Sequence, residues 1–120
     1  MTAVLAVPPV LFLAPLLVGR VFLDGDNFIQ NFPLRLLVAH DLQHGSLPLL
    51  NPYLFAGTPL LGGFNAGAAY PTSWLLAVLP RFLGWSLNLV VAYDLAALGT
   101  YVFLRRQGLS QTPATFAAAT

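Results

Sequence analysis

Two long apolar runs dominate the pattern of this chain. Val4 to Leu23 holds a single charge, Arg20. As a helix rising about 1.5 Å per residue it would measure about 30 Å, the thickness of a bilayer's hydrocarbon core. Pro8, Pro9 and Pro15 interrupt it, which a membrane helix tolerates when neighbours satisfy the freed carbonyls. Trp85 to Leu104 is equally long, and Arg105, Arg106, Gln107 and Gly108 follow it. The two arginines suit the last turn of a helix and Gly108 its C-terminal stop. Trp85 and Tyr101 stand near the ends of this second run, where membrane helices carry interfacial aromatics. A signal peptide is the rival reading of the first run. It needs a basic start and a small-residue cleavage site, whereas the chain opens Met1-Thr2-Ala3 and the run closes Val21-Phe22-Leu23-Asp24. The first run therefore reads as an uncleaved anchor.

Between the runs the pattern changes period. Phe28, Phe32, Leu36 and Ala39 share one face at helical spacing, and Leu34, Val38 and Leu42 form a second stripe. This predicts a juxtamembrane helix near 33–44, with Asn31 as cap, Pro33 in the first turn and Gly45 as stop. A helix with two apolar stripes suits contact with both lipid and protein, or plain burial. From Gly45 to Tyr70 prolines and glycines are interleaved with Tyr53, Phe55, Phe64 and Tyr70. That predicts a compact loop without regular structure. Trp74 to Leu79 is too short to cross and predicts an interfacial or re-entrant helix near 72–80. The Ala-rich stretch up to Thr120 reads as the start of a third span.

Composition agrees with a membrane setting. Hydrophobic residues make up 58% of the 120-residue chain and charged residues 8%, with a net charge of +1 and no cysteine. A soluble domain carries about 25% charged residues. Five scattered arginines make no patch for nucleic acid, and the lack of cysteine excludes a disulfide scaffold or thiol chemistry. His40 and His44 are spaced for one helix face, but the helical zinc motif also needs Glu beside the first His and a third ligand. No cofactor and no metal site are expected, and the sequence does not decide whether a divalent metal is required. Asp94 lies in the middle of the second run. An acid there costs roughly 2.5–3.5 kcal/mol on insertion scales, which predicts a structural membrane acid with a partner in a larger bundle, or a protonated one. The positive charges disagree on orientation: Arg105 and Arg106 outweigh Arg81 and place the end of the second run in the cytoplasm, while Arg20 and Arg35 favour the opposite side for the same loop.

Several motifs together resemble the start of the bacterial YfhO-like membrane proteins, grouped with the GT-C class of polytopic glycosyltransferases. They are Gly25-Asp26, Gln30 and Pro33, then Gly45-Ser46-Leu47-Pro48-Leu49-Leu50-Asn51-Pro52, Gly57-Thr58-Pro59 and Tyr70-Pro71. The resemblance covers roughly Asp24 to Leu109. Leu50 departs from the aromatic residue that the family often has before Asn-Pro. It implies an all-α integral membrane protein of the plasma (inner) membrane, multi-pass, and a piece of a larger polytopic protein. Two transmembrane helices, 4–23 and 85–104, would flank a long non-cytoplasmic loop over 24–84, and 105–120 would be a cytoplasmic turn. It implies a sugar donor linked to polyprenyl phosphate, an acceptor in the lipid or cell envelope, and missing helices or a partner chain to complete the site. The family's acid in the first outer loop corresponds to Asp26, with Asp24 as runner-up. Such a carboxylate can take the proton of an attacking hydroxyl. Residue by residue, the same Asp-Gly-Asp-Asn run also reads as an Asx turn. Arg35 and Arg81 suit phosphate or lipid headgroups, and Asn51 suits substrate or a turn cap. A non-enzymatic envelope lipid or polymer export component, or an inactive fragment, is the alternative.

Overall fold

The computed structural model describes residues 2–119, and the fold is mostly helical. Helix α1, Thr2–Leu13, keeps Pro8 and Pro9 inside it. Pro15 lacks the N–H for a further α turn, and the chain tightens into a 3₁₀ segment, Ala14–Val18. Gly19 then closes it in a left-handed conformation. Its N–H donates to the Leu16 carbonyl (3.1 Å) and the Arg20 N–H to Pro15 (2.9 Å), the Schellman pattern. The helix expected over 4–23 therefore ends at Val18, and Arg20 lies outside it. The apolar helix Val4–Val18 is shorter than a span, about 22 Å at the usual rise.

The next helix starts at Gly25, earlier than the expected 33–44. It widens into a π turn at Asn27–Asn31 and continues as α2, Phe32–Gln43. The Phe32 N–H reaches back to Asn27, and Pro33 follows with no N–H of its own. Asn31 is thus inside a helix rather than a cap, and its amide donates to the Asn27 Oδ1 (3.1 Å). Gly45 ends α2 in a second Schellman turn, with Gly45 N–H to Leu42 (3.1 Å) and Ser46 N–H to Asp41 (2.9 Å).

The loop beyond is not wholly irregular. Strands β1 (Leu50–Asn51) and β2 (Thr58–Pro59) pair antiparallel, Leu50 opposite Pro59 and Asn51 opposite Thr58. This two-residue ribbon departs from the all-α expectation. The tip joining the strands carries Phe55 and Ala56 at positive φ. In place of one helix near 72–80 the chain forms a 3₁₀ turn, Pro71–Trp74, and a single α turn, α3, Leu75–Val78.

Helix α4, Arg81–Arg106, is the one described helix long and apolar enough to cross a membrane. It is longer than the expected 85–104 because Pro80 caps it early. It ends at Gly108 in a third Schellman turn, with Gly108 N–H to Arg105 and Leu109 N–H to Leu104, both 3.2 Å. A short helix, α5 (Gln111–Ala118), folds back on α4 through buried Ala114 and Ala118.

The two stripes of α2 bury in two separate clusters. Phe32, Leu36 and Ala39 pack with Leu76 and Trp85. Leu34, Val38 and Leu42 pack with Leu60, Ala66 and Ala68 under the loop. Phe28, expected on the first stripe, is exposed. Trp85 is no interfacial aromatic: it is 1% exposed. Its indole N–H donates to the Phe22 carbonyl (3.0 Å) and its ring meets Phe32 edge-on at 5.3 Å. This contact pins the extended stretch after α1 to α4, while Phe12 packs between Phe22 and Tyr93.

Candidate functional site

The polar run at the start of the second helix forms a turn without using its acids. The Asn27 N–H donates to the main-chain carbonyl of Asp24 (3.1 Å), and Gly25 takes a positive φ. No Asx hydrogen bond forms. Asp24 and Asp26 are exposed, and neither carboxylate has a hydrogen-bond or ion-pair partner among the described residues. Asp26 stands in the first turn of the helix, where the macrodipole favours a negative charge.

Arg35 lies further along the same helix. Its guanidinium sits 5.4 Å from the centre of the Trp85 ring, a cation–π arrangement. No carboxylate is within ion-pair distance of it among the described residues. Its Nε is sealed from solvent without a partner, and so is the Oγ of fully buried Ser73. Gly67, at φ +57°, closes over both: a Cβ there would stand 3.0 Å from the Ser73 Oγ and 3.4 Å from the Arg35 Nε. Burial lowers the Arg35 pKa, and the electrostatic influence of nearby Tyr70 opposes that shift. A guanidinium remains cationic in such a place. The placement of Arg35 over Trp85 and beside Gly67 was not visible in the chain, because those contacts join segments far apart in sequence.

No family model, curated protein or solved structure matches this chain. The chemistry therefore rests on the residues themselves.

The remaining candidate residues lie in separate places. Asn51 is buried, and its Oδ1 accepts the Tyr53 N–H (3.0 Å). It borders a groove of about 480 Å³ between α2 and the ribbon, together with Gln30, Leu34, His40 and Tyr53. Arg81 is exposed and borders a different hollow of about 470 Å³ with Gln43 and His40. Neither groove is lined by Asp24, Asp26 or Arg35. The His40 and His44 rings lie 4.3 Å apart. The His44 Nδ1 is engaged with the His40 carbonyl at 2.8 Å, and the His40 Nδ1 is 3.5 Å from Asp41. Asp94 has its Oδ1 sealed on α4 without a hydrogen-bond partner.

Two further polar contacts escaped the sequence reading. Thr72 Oγ1 donates to the Oδ1 of buried Asn88, and the Gln43 amide donates to the Ala77 carbonyl (2.8 Å). Asn88 inside an apolar run was the one available signal, since an amide there needs a partner.

Proposed function

We propose that this chain is part of a membrane glycosyltransferase that moves a sugar from a polyprenyl-phosphate-linked donor to a lipid or cell-envelope acceptor. In this reading α4 crosses the plasma membrane, the first apolar helix with the segment behind it makes the second crossing, and the loop between them is non-cytoplasmic. The observation that carries the reading is the free carboxylate of Asp26, held in the first turn of the helix after the first apolar segment. The motif pattern around it resembles the YfhO-like proteins. An acceptor hydroxyl attacks the anomeric carbon, the bond to the donor phosphate breaks, and the hydroxyl proton passes to Asp26. About 13 Å of helix axis separates Asp26 from Arg35. Arg35 therefore acts on a lipid phosphate at some distance from the reacting carbon and does not hold the leaving oxygen. Asn51 and Arg81 stand in grooves of their own and serve binding at most. That neither acid lines either of these two grooves favours one competing reading, a non-enzymatic envelope lipid or polymer export component.

Turnover in membranes with a polyprenyl-phosphate sugar tests the chemistry. Asp26→Asn keeps the size but removes the base, and the expected loss is about 10²–10⁴-fold, with expression and insertion unchanged. Asp24→Asn should cost much less. Near-normal turnover with both acids replaced would favour the export reading. Orientation is tested separately, because the chain has no native cysteine. Ser46→Cys should react with an impermeant thiol reagent in intact cells and Gln107→Cys should not; the reverse would detach Asp26 from an outer-face role.

A further inference from the structure

From Gly45 to Pro80 the chain holds no Asp, Glu, Lys, Arg or His. The same segment presents its largest side chains outward. Phe64 is 100% exposed, Phe55 92%, Tyr53 81% and Leu47 72%. A water-facing segment does not normally combine so many fully exposed large apolar side chains with a complete lack of charge. We infer that this segment beyond Ser46 is immersed in the interfacial layer of a lipid bilayer, with Phe55 and Phe64 as its inserted tips. The inference rests on the membrane setting of the proposed function but not on sugar transfer.

Three observations favour lipid over another occupant. First, a protein-binding face has a polar rim and is enriched in arginine; here the charge-free stretch is continuous, which matches hydrocarbon. Second, much of the backbone around the tips folds into turns that pair with one another. Gly57 N–H donates to Leu54, Leu60 to Leu49, Gly63 to Leu60, Gly67 to Phe64, Tyr70 to Gly67 and Ser73 to Tyr70, at 2.8–3.2 Å. Each such internal bond lowers the cost of bringing backbone close to lipid, and the interfacial layer supplies water for the rest. Third, the segment stands at the Arg81 end of α4: the turn before α3, and α3 itself, pack on that helix. This places it beside the end of the helix able to cross a membrane, where Tyr53, Tyr70 and Trp74 suit the headgroup level. Positive φ at Phe55 and Ala56 turns the tip of the ribbon outward at some backbone cost.

The test uses the cysteine-free chain in phosphatidylcholine–phosphatidylglycerol liposomes. Phe55→Cys, Phe64→Cys and Leu47→Cys each carry an environment-sensitive fluorophore, with Leu98→Cys on α4 and Gln107→Cys as references. The expected result is blue-shifted emission at 55, 64 and 47, strong quenching by lipids with a shallow nitroxide, and at least several-fold weaker iodide quenching than at 107. Three labels with altered packing would not agree by accident. Iodide quenching at 55 and 64 equal to that at 107 would overturn the inference. So would dry emission without lipid quenching, which would mean that polypeptide covers the patch. If Leu98 is dry and lipid-quenched while 55 and 64 are wet, this inference fails alone. If Leu98 is wet too, the membrane setting fails with it.

Discussion

The two halves of α4 are built from similar residues and used in opposite ways. All of its buried positions lie near its start: Gly84, Trp85, Ser86, Asn88 and Val90. From Val91 to Arg106 none is buried, and Tyr93, Leu95, Leu98, Val102 and Phe103 are exposed. The buried half therefore contains the polar Ser86 and Asn88, while the exposed half is mainly apolar. In a water-soluble helix the order is reversed, because apolar side chains gain most from leaving water. In lipid that gain vanishes, and packing with small or hydrogen-bonding residues holds helices together. Ala96, Ala97 and Thr100 fit this, lining the groove between α4, α1 and α5. Hydropathy alone treats the helix as uniform; the difference lies in what touches it.

Substitutions along α4 should separate the halves. The largest effect is expected from Trp85→Ala, which removes the ring packed on Phe32 and the hydrogen bond to Phe22. Emptying such a site costs about 3–5 kcal/mol, and thermal unfolding in detergent would show it as a large drop in Tm. Gly84→Ala should come next. Its Cβ would stand 2.9 Å from the Leu75 carbonyl oxygen and 3.0 Å from the Leu76 Cα, backbone that cannot swing aside. Overpacking of this kind costs about 1–3 kcal/mol and should loosen α3 from α4. Val102→Ala should be smallest, within about 0.5 kcal/mol. A Val102→Ala penalty matching that of Trp85→Ala would erase the distinction between the halves.

How much was legible in the chain differs between regions for the same reason. The two stripes of α2 were readable because each position's neighbours are set by helical spacing, and, Phe28 apart, both stripes pack where the spacing puts them. Gly45 and Gly108 were readable as stops because the left-handed turn needs glycine locally. Gly19 carried the same signal, but the unbroken hydropathy up to Leu23 obscured it. The π turn before Pro33 was not legible, since Asn31 and Pro33 fit an ordinary helix start equally well. Trp85 was misread because its burial depends on Phe22 and Phe32, more than fifty residues away along the chain. The candidate site divides the same way. The acids are nominated by their motif alone; Ser73 and Gly67 near Arg35 could not be, because only the folded loop brings them together.

The most direct test of a membrane-crossing α4 whose start is buried in protein and whose second half turns Leu95, Leu98 and Val102 to lipid is a spin-label scan of positions 83–104 in liposomes, reading collisions with oxygen and with a water-soluble nickel chelate. Leu95, Leu98 and Val102 should show high oxygen and low nickel accessibility, and Ser86, Asn88 and Val90 should be low for both. Strong nickel collisions at Leu95, Leu98 and Val102 would contradict the account, because they would put the exposed half of α4 in water.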